Sequence, residues 1–230
     1  MKENVKQYIS FKKGEVFLPG HLKPQKGLRG RMFKSDFLES LTKTPLWVPQ
    51  GMYIILIFLF YYYALTYLSF NWIHLLIYGF AGILTWTFVE YIVHRFVYHT
   101  ETNYDFFYRI QHSGHGIHHN YPRDSRRLAM PPVPSLILSS IFFGLFYLIM
   151  GSYASMFMPG FWLGYLLYIT LHYYQHVIPI PKFSPLKRLW NFHFIHHGIN
   201  PYSAFGVSTR LWDYIFRTLP TKKDWETFNK

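Results

Sequence analysis

Four long apolar stretches limit what this chain can fold into. Residues 52–70 carry no charge, 72–89 carry none before Glu90, and 133–151 carry none. Residues 153–180 carry none either, although His172 and His176 fall near the end. Each stretch is long enough to cross a hydrocarbon layer of ~30 Å, which takes about 20 helical residues. The alternative is a soluble helical bundle with a very apolar core. A soluble helix should show a polar face, and these stretches do not. The expected fold is all-α and integral to a membrane. Four transmembrane helices are expected at about 51–70, 72–94, 133–151 and 153–176, with a cytosolic helical cap from 95–132 and 177–220. A basic N-terminal segment, 1–50, would precede the membrane-embedded domain, 51–230.

The net charge of +12 invites a nucleic-acid reading, but its distribution points elsewhere. Lys and Arg concentrate in residues 1–46, at Arg109, Arg123, Arg126 and Arg127, and after residue 180. The short stretches 69–71 and 151–152 carry none. This is the positive-inside pattern, with both termini and the central loop in the cytosol. Attraction to anionic lipid accounts for the basic excess, so no nucleic-acid partner is expected. The expected location is a bacterial inner membrane, or the endoplasmic reticulum in a eukaryote. No N-terminal signal peptide is expected, because the first apolar run begins after residue 50. The absence of cysteine excludes disulfides and thiolate-held iron–sulfur clusters within the chain.

Ten of the thirteen histidines fall in four clusters: His94/His99, His115/His118/His119, His172/His176 and His193/His196/His197. Neutral imidazole is the commonest metal ligand. Spacings of three, four and five residues suit one helical face or a helix end. An unliganded histidine-lined surface is the bland alternative. At 1.5 Å per residue, His94 lies roughly 33 Å along the second span and His172 roughly 28 Å along the fourth. Both emerge on the cytosolic side, where the other clusters also lie. His74 belongs to the outer end of the second span and reads as an interfacial polar residue. His21 lies in the basic N-terminal segment, and His112 reads as a supporting residue or a bystander.

Ten ligands exceed what one ion takes, and five on each of two ions fits better. All-imidazole sites suit iron, zinc, copper or nickel. Carboxylates should lie near so many neutral ligands, and Glu90, Asp105, Asp124 and Asp213 are candidates. Glu90 precedes His94 by four residues on one helical face, so it serves either His94 or an ion pair with Arg95. Other templates are missing: no glycine-rich phosphate loop, no G-x-S-x-G elbow and no cysteine nucleophile. The aromatic excess is assigned to membrane faces and interfaces, with a minority lining a lipid channel.

The chain resembles the fatty acid hydroxylase/sterol desaturase superfamily, and within it the fatty acid 2-hydroxylases. The resemblance rests on EYIVHRFVYH at 90–99, HGIHHNYPRDSRRLAMPP at 115–132 and LHYYQH at 171–176. It extends to HFIHHGINPYSAFGVSTRLWDYIFRT at 193–218 and FLESLTKTPLWV at 37–48. It implies four transmembrane helices capped by a cytosolic domain with a dinuclear centre. Two irons there would activate dioxygen, the cosubstrate, and insert one oxygen atom into a C–H bond; zinc can take their place. His94, His99, His115, His119 and His196 would bind one metal. His118, His172, His176, His193 and His197 would bind the other. Glu90, His112, Asp124, Tyr168 and Asp213 are supporting candidates. The sequence departs from the family in two places. No fused cytochrome b-type domain is seen, and Ile169 follows Tyr168 where many members have Asp.

The implied activity is hydroxylation at carbon 2 of a fatty acid or of a sphingolipid N-acyl group. Electrons would come from outside, from a ferredoxin or cytochrome with its reductase, docked on the basic face. The depth of the histidines points the same way. A lipid held by its head at the interface presents its first carbons, whereas a mid-chain carbon drawn out exposes methylenes at about 0.8 kcal/mol each. Desaturation, sterol oxidation and sphingoid-base hydroxylation are alternatives on the same scaffold. A zinc transporter is the alternative from another class, but it should place polar ligands near the bilayer midplane.

Overall fold

The structure, a computed structural model, describes residues 30–100, 102–182 and 184–229. His21 and most of the basic N-terminal segment lie outside the described residues. Among the described residues there is no strand. In chain order the helices are α1 (Asp36–Ser40), α2 (Trp47–Tyr67), α3 (Trp72–Ile92), α4 (Asp105–Gln111) and α5 (Ile117–Asn120). They continue as α6 (Pro132–Met150), α7 (Ala154–Val177), α8 (Ser184–Gly198), α9 (Leu211–Ile215) and α10 (Lys222–Phe228). Two π-helical turns, Val93–Tyr98 and His112–Gly116, follow α3 and α4. The chain forms two compact units. One holds residues 36–89 and 126–173; the other holds 30–35, 90–125 and 174–229.

The first unit contains α1, α2, α6 and most of α3 and α7. Among the described residues, three helical runs are long and apolar enough to cross a membrane: Trp47–Tyr67, Trp72–Tyr98 and the 46-residue Pro132–Val177. The last run is two helices joined by a single 3₁₀ turn, Gly151–Tyr153, which opens on Gly151 at φ 59°. The two helices pack antiparallel. Phe146 meets Phe157 at 4.7 Å, Phe142 meets Phe161 at 5.1 Å, and the Trp162 indole donates to Ser139 Oγ at 2.6 Å. The chain therefore doubles back at Gly151.

Aromatic side chains fill this unit, with Tyr53, Phe157, Phe161, Trp162, Tyr165 and Ile169 in its core. Each buried polar tip there needs a partner. Tyr53 finds one in Ser135 Oγ at 2.7 Å. Glycines bring α3 and α7 backbone to backbone. A Cβ on Gly160 would lie 2.0 Å from the Gly79 carbonyl oxygen, and one on Gly82 would lie 2.3 Å from that of Phe157. Close approach through small residues is how apolar helices gain dispersion contacts where no hydrophobic effect drives them together. The helix α2 starts at Trp47 rather than near 51, since Pro49 sits in its first turn, where its missing N–H costs nothing. It ends at Tyr67, two residues before Ser69 turns to φ 56°. Before α2, Arg127 pairs with Glu39, and Thr44 N–H donates to the Arg126 carbonyl at 2.6 Å.

Candidate metal centre

The histidine spacings are read out by local helix type. The five-residue step from His94 to His99 spans the π-helical turn after α3 and places the rings 4.9 Å apart. In a π-helix the repeat lengthens to i→i+5, and such turns recur at functional sites. His115 lies within the second π-helical turn, and α5 carries His118 and His119 one turn on. His172 and His176 share a face of α7, and His193, His196 and His197 line α8.

The ten side chains form two groups of five. His94, His99, His115, His119 and His196 place one ring nitrogen each within 4.8 Å of the others. His118, His172, His176, His193 and His197 do the same. In the first group the Nε2 of His115 lies 2.9 Å from the Nε2 of both His94 and His119. In the second, Nε2 atoms approach at 2.6 Å between His176 and His193 and at 3.1 Å between His118 and His197. The groups adjoin where the rings of His119 and His197 stack at 4.1 Å. Nine of the ten residues are buried and His176 is half-buried. Burial, followed by neighbouring imidazoles, holds His119 and His197 well below the ordinary histidine range. Both are therefore neutral, as a metal ligand must be.

Tautomers are fixed from outside. His94 Nδ1–H donates to the Phe205 carbonyl at 2.5 Å, and His196 Nδ1–H to the Ser203 carbonyl at 2.8 Å. Each Nε2 is then a lone pair turned into the group, the arrangement typical of a metal-holding histidine. Two clusters of convergent imidazoles, nine of the ten buried, fit one divalent transition metal each.

The supporting candidates divide. Glu90 bonds neither a ligand histidine nor Arg95. It accepts from Val207 N–H at 2.7 Å and Ser208 N–H at 3.0 Å, and from the Ser208 hydroxyl. Asp213 accepts from Phe205 N–H at 2.9 Å, Gly206 N–H at 2.8 Å and the Thr218 hydroxyl at 2.7 Å. Burial pushes the Asp213 carboxyl up, against those hydrogen bonds and the charge of Arg95. Both carboxylates thus stand one layer further out, holding the loop whose carbonyls hold the histidines. Tyr168 stacks on His172 at 5.6 Å. Asp124 is buried beyond α5. Asp105 is exposed at the start of α4. His112 is half-buried, lies parallel to Tyr108 at 6.1 Å and belongs to neither group; burial lowers its pKa. His74 accepts from Asn71 N–H and packs on Phe70, and it belongs to neither group.

Three participants were not singled out from sequence. Tyr98 stacks on His115 at 5.0 Å, Phe205 meets His94, His99 and His196 edge-on, and Gln175 donates to the Val207 carbonyl at 3.3 Å. Gln175 sits between two histidines on α7, and Phe205 lies in the FGVST segment, but neither has a spacing signal of its own.

The family pattern described as fatty acid hydroxylase matches residues 79–218, a stretch that contains all ten histidines. The chain belongs to the fatty acid hydroxylase family. It is 35% identical over 212 residues to a fatty acid 2-hydroxylase of Rattus norvegicus, covering 82% of this chain and 56% of that protein. It therefore spans little more than half of that relative's length. It is 33% identical over 226 residues to the dihydroceramide fatty acyl 2-hydroxylase FAH1 of Arabidopsis thaliana, covering 94% of each. Among solved structures, full-length scs7p, in which only the hydroxylase domain is visible, aligns with a TM-score of 0.76 and 29% identity. That alignment covers 87% of this chain and 76% of the other. Within this hydroxylase family, the histidine groups are the candidate seat of the chemistry.

Proposed function

We propose that this chain is a membrane-bound lipid hydroxylase that adds oxygen at carbon 2 of a fatty acyl chain, either free or as a sphingolipid N-acyl group. The observation that carries the reading is the pair of buried five-histidine groups inside the fatty acid hydroxylase match. The activities for which the relatives are named, on fatty acids and on dihydroceramide, support the substrate class.

In this reading His94, His99, His115, His119 and His196 hold one metal and the other five hold its neighbour. Iron is the working pair, and zinc suits the same donors. When bound, the metals supply dioxygen activation and the oxidising power to exchange C–H for C–OH. The chain's own residues do the rest. Carbonyls 203 and 205 fix two tautomers, Tyr98 and Tyr168 lie flat against His115 and His172, and burial excludes water. Electrons come from an external ferredoxin or cytochrome with its reductase.

The long helices make four crossings, with α6 and α7 counted separately across the Gly151 reversal. The basic segments place both termini and the histidines in the cytosol. Helical continuity from Trp72 to Tyr98 puts His94 at the end of an apolar run rather than at its middle. A lipid anchored by its head at that depth offers its first carbons. Mass spectrometry of lipids from cells with and without the protein tests this. The expected product carries a hydroxyl beside the carbonyl; a mid-chain hydroxyl or a double bond would overturn the reading.

A further inference from the structure

Segment 203–208 has an arrangement that its sequence does not announce. Five consecutive backbone N–H groups are all received by fixed acceptors. Ala204 N–H goes to the Thr218 carbonyl at 2.8 Å, those of Phe205 and Gly206 go to Asp213, and those of Val207 and Ser208 go to Glu90. The carbonyls of alternate residues 203, 205 and 207 accept from His196, His94 and Gln175. The segment is bonded on one side to two carboxylates and on the other to two histidines. Gly206 is needed for the fit, since a Cβ there would lie 2.0 Å from the Thr209 carbonyl oxygen and 2.8 Å from Asp213 Oδ2. Ala204 takes φ 56°.

We infer that Glu90 and Asp213 are positioning residues for one metal of the pair, acting through this segment on His94 and His196. Both histidines belong to the first group of five, so the effect is directed at that metal. The inference rests on the two-metal reading given above.

The physical grounds are three. Charge-assisted hydrogen bonds are about twice as strong as neutral ones, so two carboxylates fix the backbone more firmly than neutral acceptors would. An N–H held by an anion polarises the carbonyl of its own peptide group: Gly206 N–H, held by Asp213, shares a peptide with the Phe205 carbonyl, which becomes a better acceptor for His94, while the effect on His196 comes through the fixed backbone. A histidine donating Nδ1–H to a better acceptor is a more basic ligand at Nε2.

The test uses the full chain in detergent, loaded with zinc and stripped with a chelator while metal release is followed. The unmodified chain should release two metals in two resolvable phases. Glu90→Gln and Asp213→Asn should each speed one phase about 10–100-fold and leave the other alone, the range seen when a ligand's supporting partner is changed. His94→Ala should abolish that same phase, and Glu90→Gln added to it should change nothing further. His118→Ala should abolish the other phase. Far-UV circular dichroism and a monodisperse elution check folding. If either carboxylate variant fails to fold, Ser208→Ala, which removes one donor to Glu90, carries the test with a few-fold acceleration of the same phase. Equal acceleration of both phases, or of neither, overturns the inference. Failure of the unmodified chain to bind zinc overturns the two-metal reading instead.

Discussion

An imidazole grips a metal only through a lone pair, so the behaviour of its other nitrogen decides whether it can serve. His74 makes the contrast: its Nδ1 accepts from the Asn71 backbone, and its ring packs on Phe70, Tyr78 and Tyr153. Alanine at any of the ten clustered histidines is expected to abolish hydroxylation and lower bound metal by at least one ion per chain. His74→Ala should leave both within a few-fold. Metal analysis beside product assay checks this; full metal in His118→Ala or His197→Ala would remove that residue from the ligand set. Protonation acts on the same atoms. His119 and His197 are held below their unfolded value, so the unfolded chain takes up protons first as pH falls. Stability is then fully present above about pH 6.5 and is lost below it. Melting of the metal-free chain between pH 8 and pH 5.5 should show a falling midpoint; a flat profile would contradict the burial argument. At this scale the sequence was informative about which imidazoles come together, because imidazoles clustered at helical spacing are rare and specific. It was less informative about their supports. Glu90 and Asp213 could be named, but the attachment of Glu90 to backbone 117 and 118 residues further on is a tertiary fact without periodicity.

Among the elements, the contact between α3 and α7 depends on atoms that are absent. Gly79, Gly82 and Gly160 allow two backbones to touch, and Gly164 gives the Trp86 side chain its place. A β-branched residue at 160 would have to displace backbone rather than a flexible side chain. Gly160→Val is therefore expected to cost at least the ~1–3 kcal/mol typical of overpacking. The apparent melting midpoint in detergent should drop by several degrees, while Gly144→Val, which has open space around its Cβ, should not move it. The pair Arg127 and Glu39 gives a second case. Sequence places Arg127 among the charges that set topology, yet it is buried against Glu39. Removing one member of a buried pair costs up to about 3–5 kcal/mol, reduced here because Lys43 Nζ stays 3.6 Å from Glu39. Arg127→Met should destabilise strongly, and Arg127→Met with Glu39→Leu should recover much of the loss. The apolar runs themselves were legible because lipid-length helices need only composition. Their exact ends were not, since Pro49 and Gly151 act through local geometry.

For the whole molecule, orientation is the first quantity to settle. The Lys/Arg asymmetry predicts that reporter fusions after Ser69 and after Arg127 lie on opposite sides of the membrane. Reports from one side would sink the four-crossing reading. The order in which the histidines occur along the chain has a further consequence, one that concerns synthesis. Each group of five draws on residues near the middle of the chain and on residues near its end: His196 completes one, and His193 and His197 complete the other. The loop that orients His94 comes later still, at 203–208. A chain grows from its N-terminus, at about 5–20 residues per second. All four long helices are therefore made before either group can close. A ribosome halted after residue 190 leaves a product with its apolar helices complete and every metal position lacking at least one ligand. Under the proposed reading, metal capture would thus be a late event in the birth of this protein, and it would report that the stretch from His193 onward has folded back onto segments made long before.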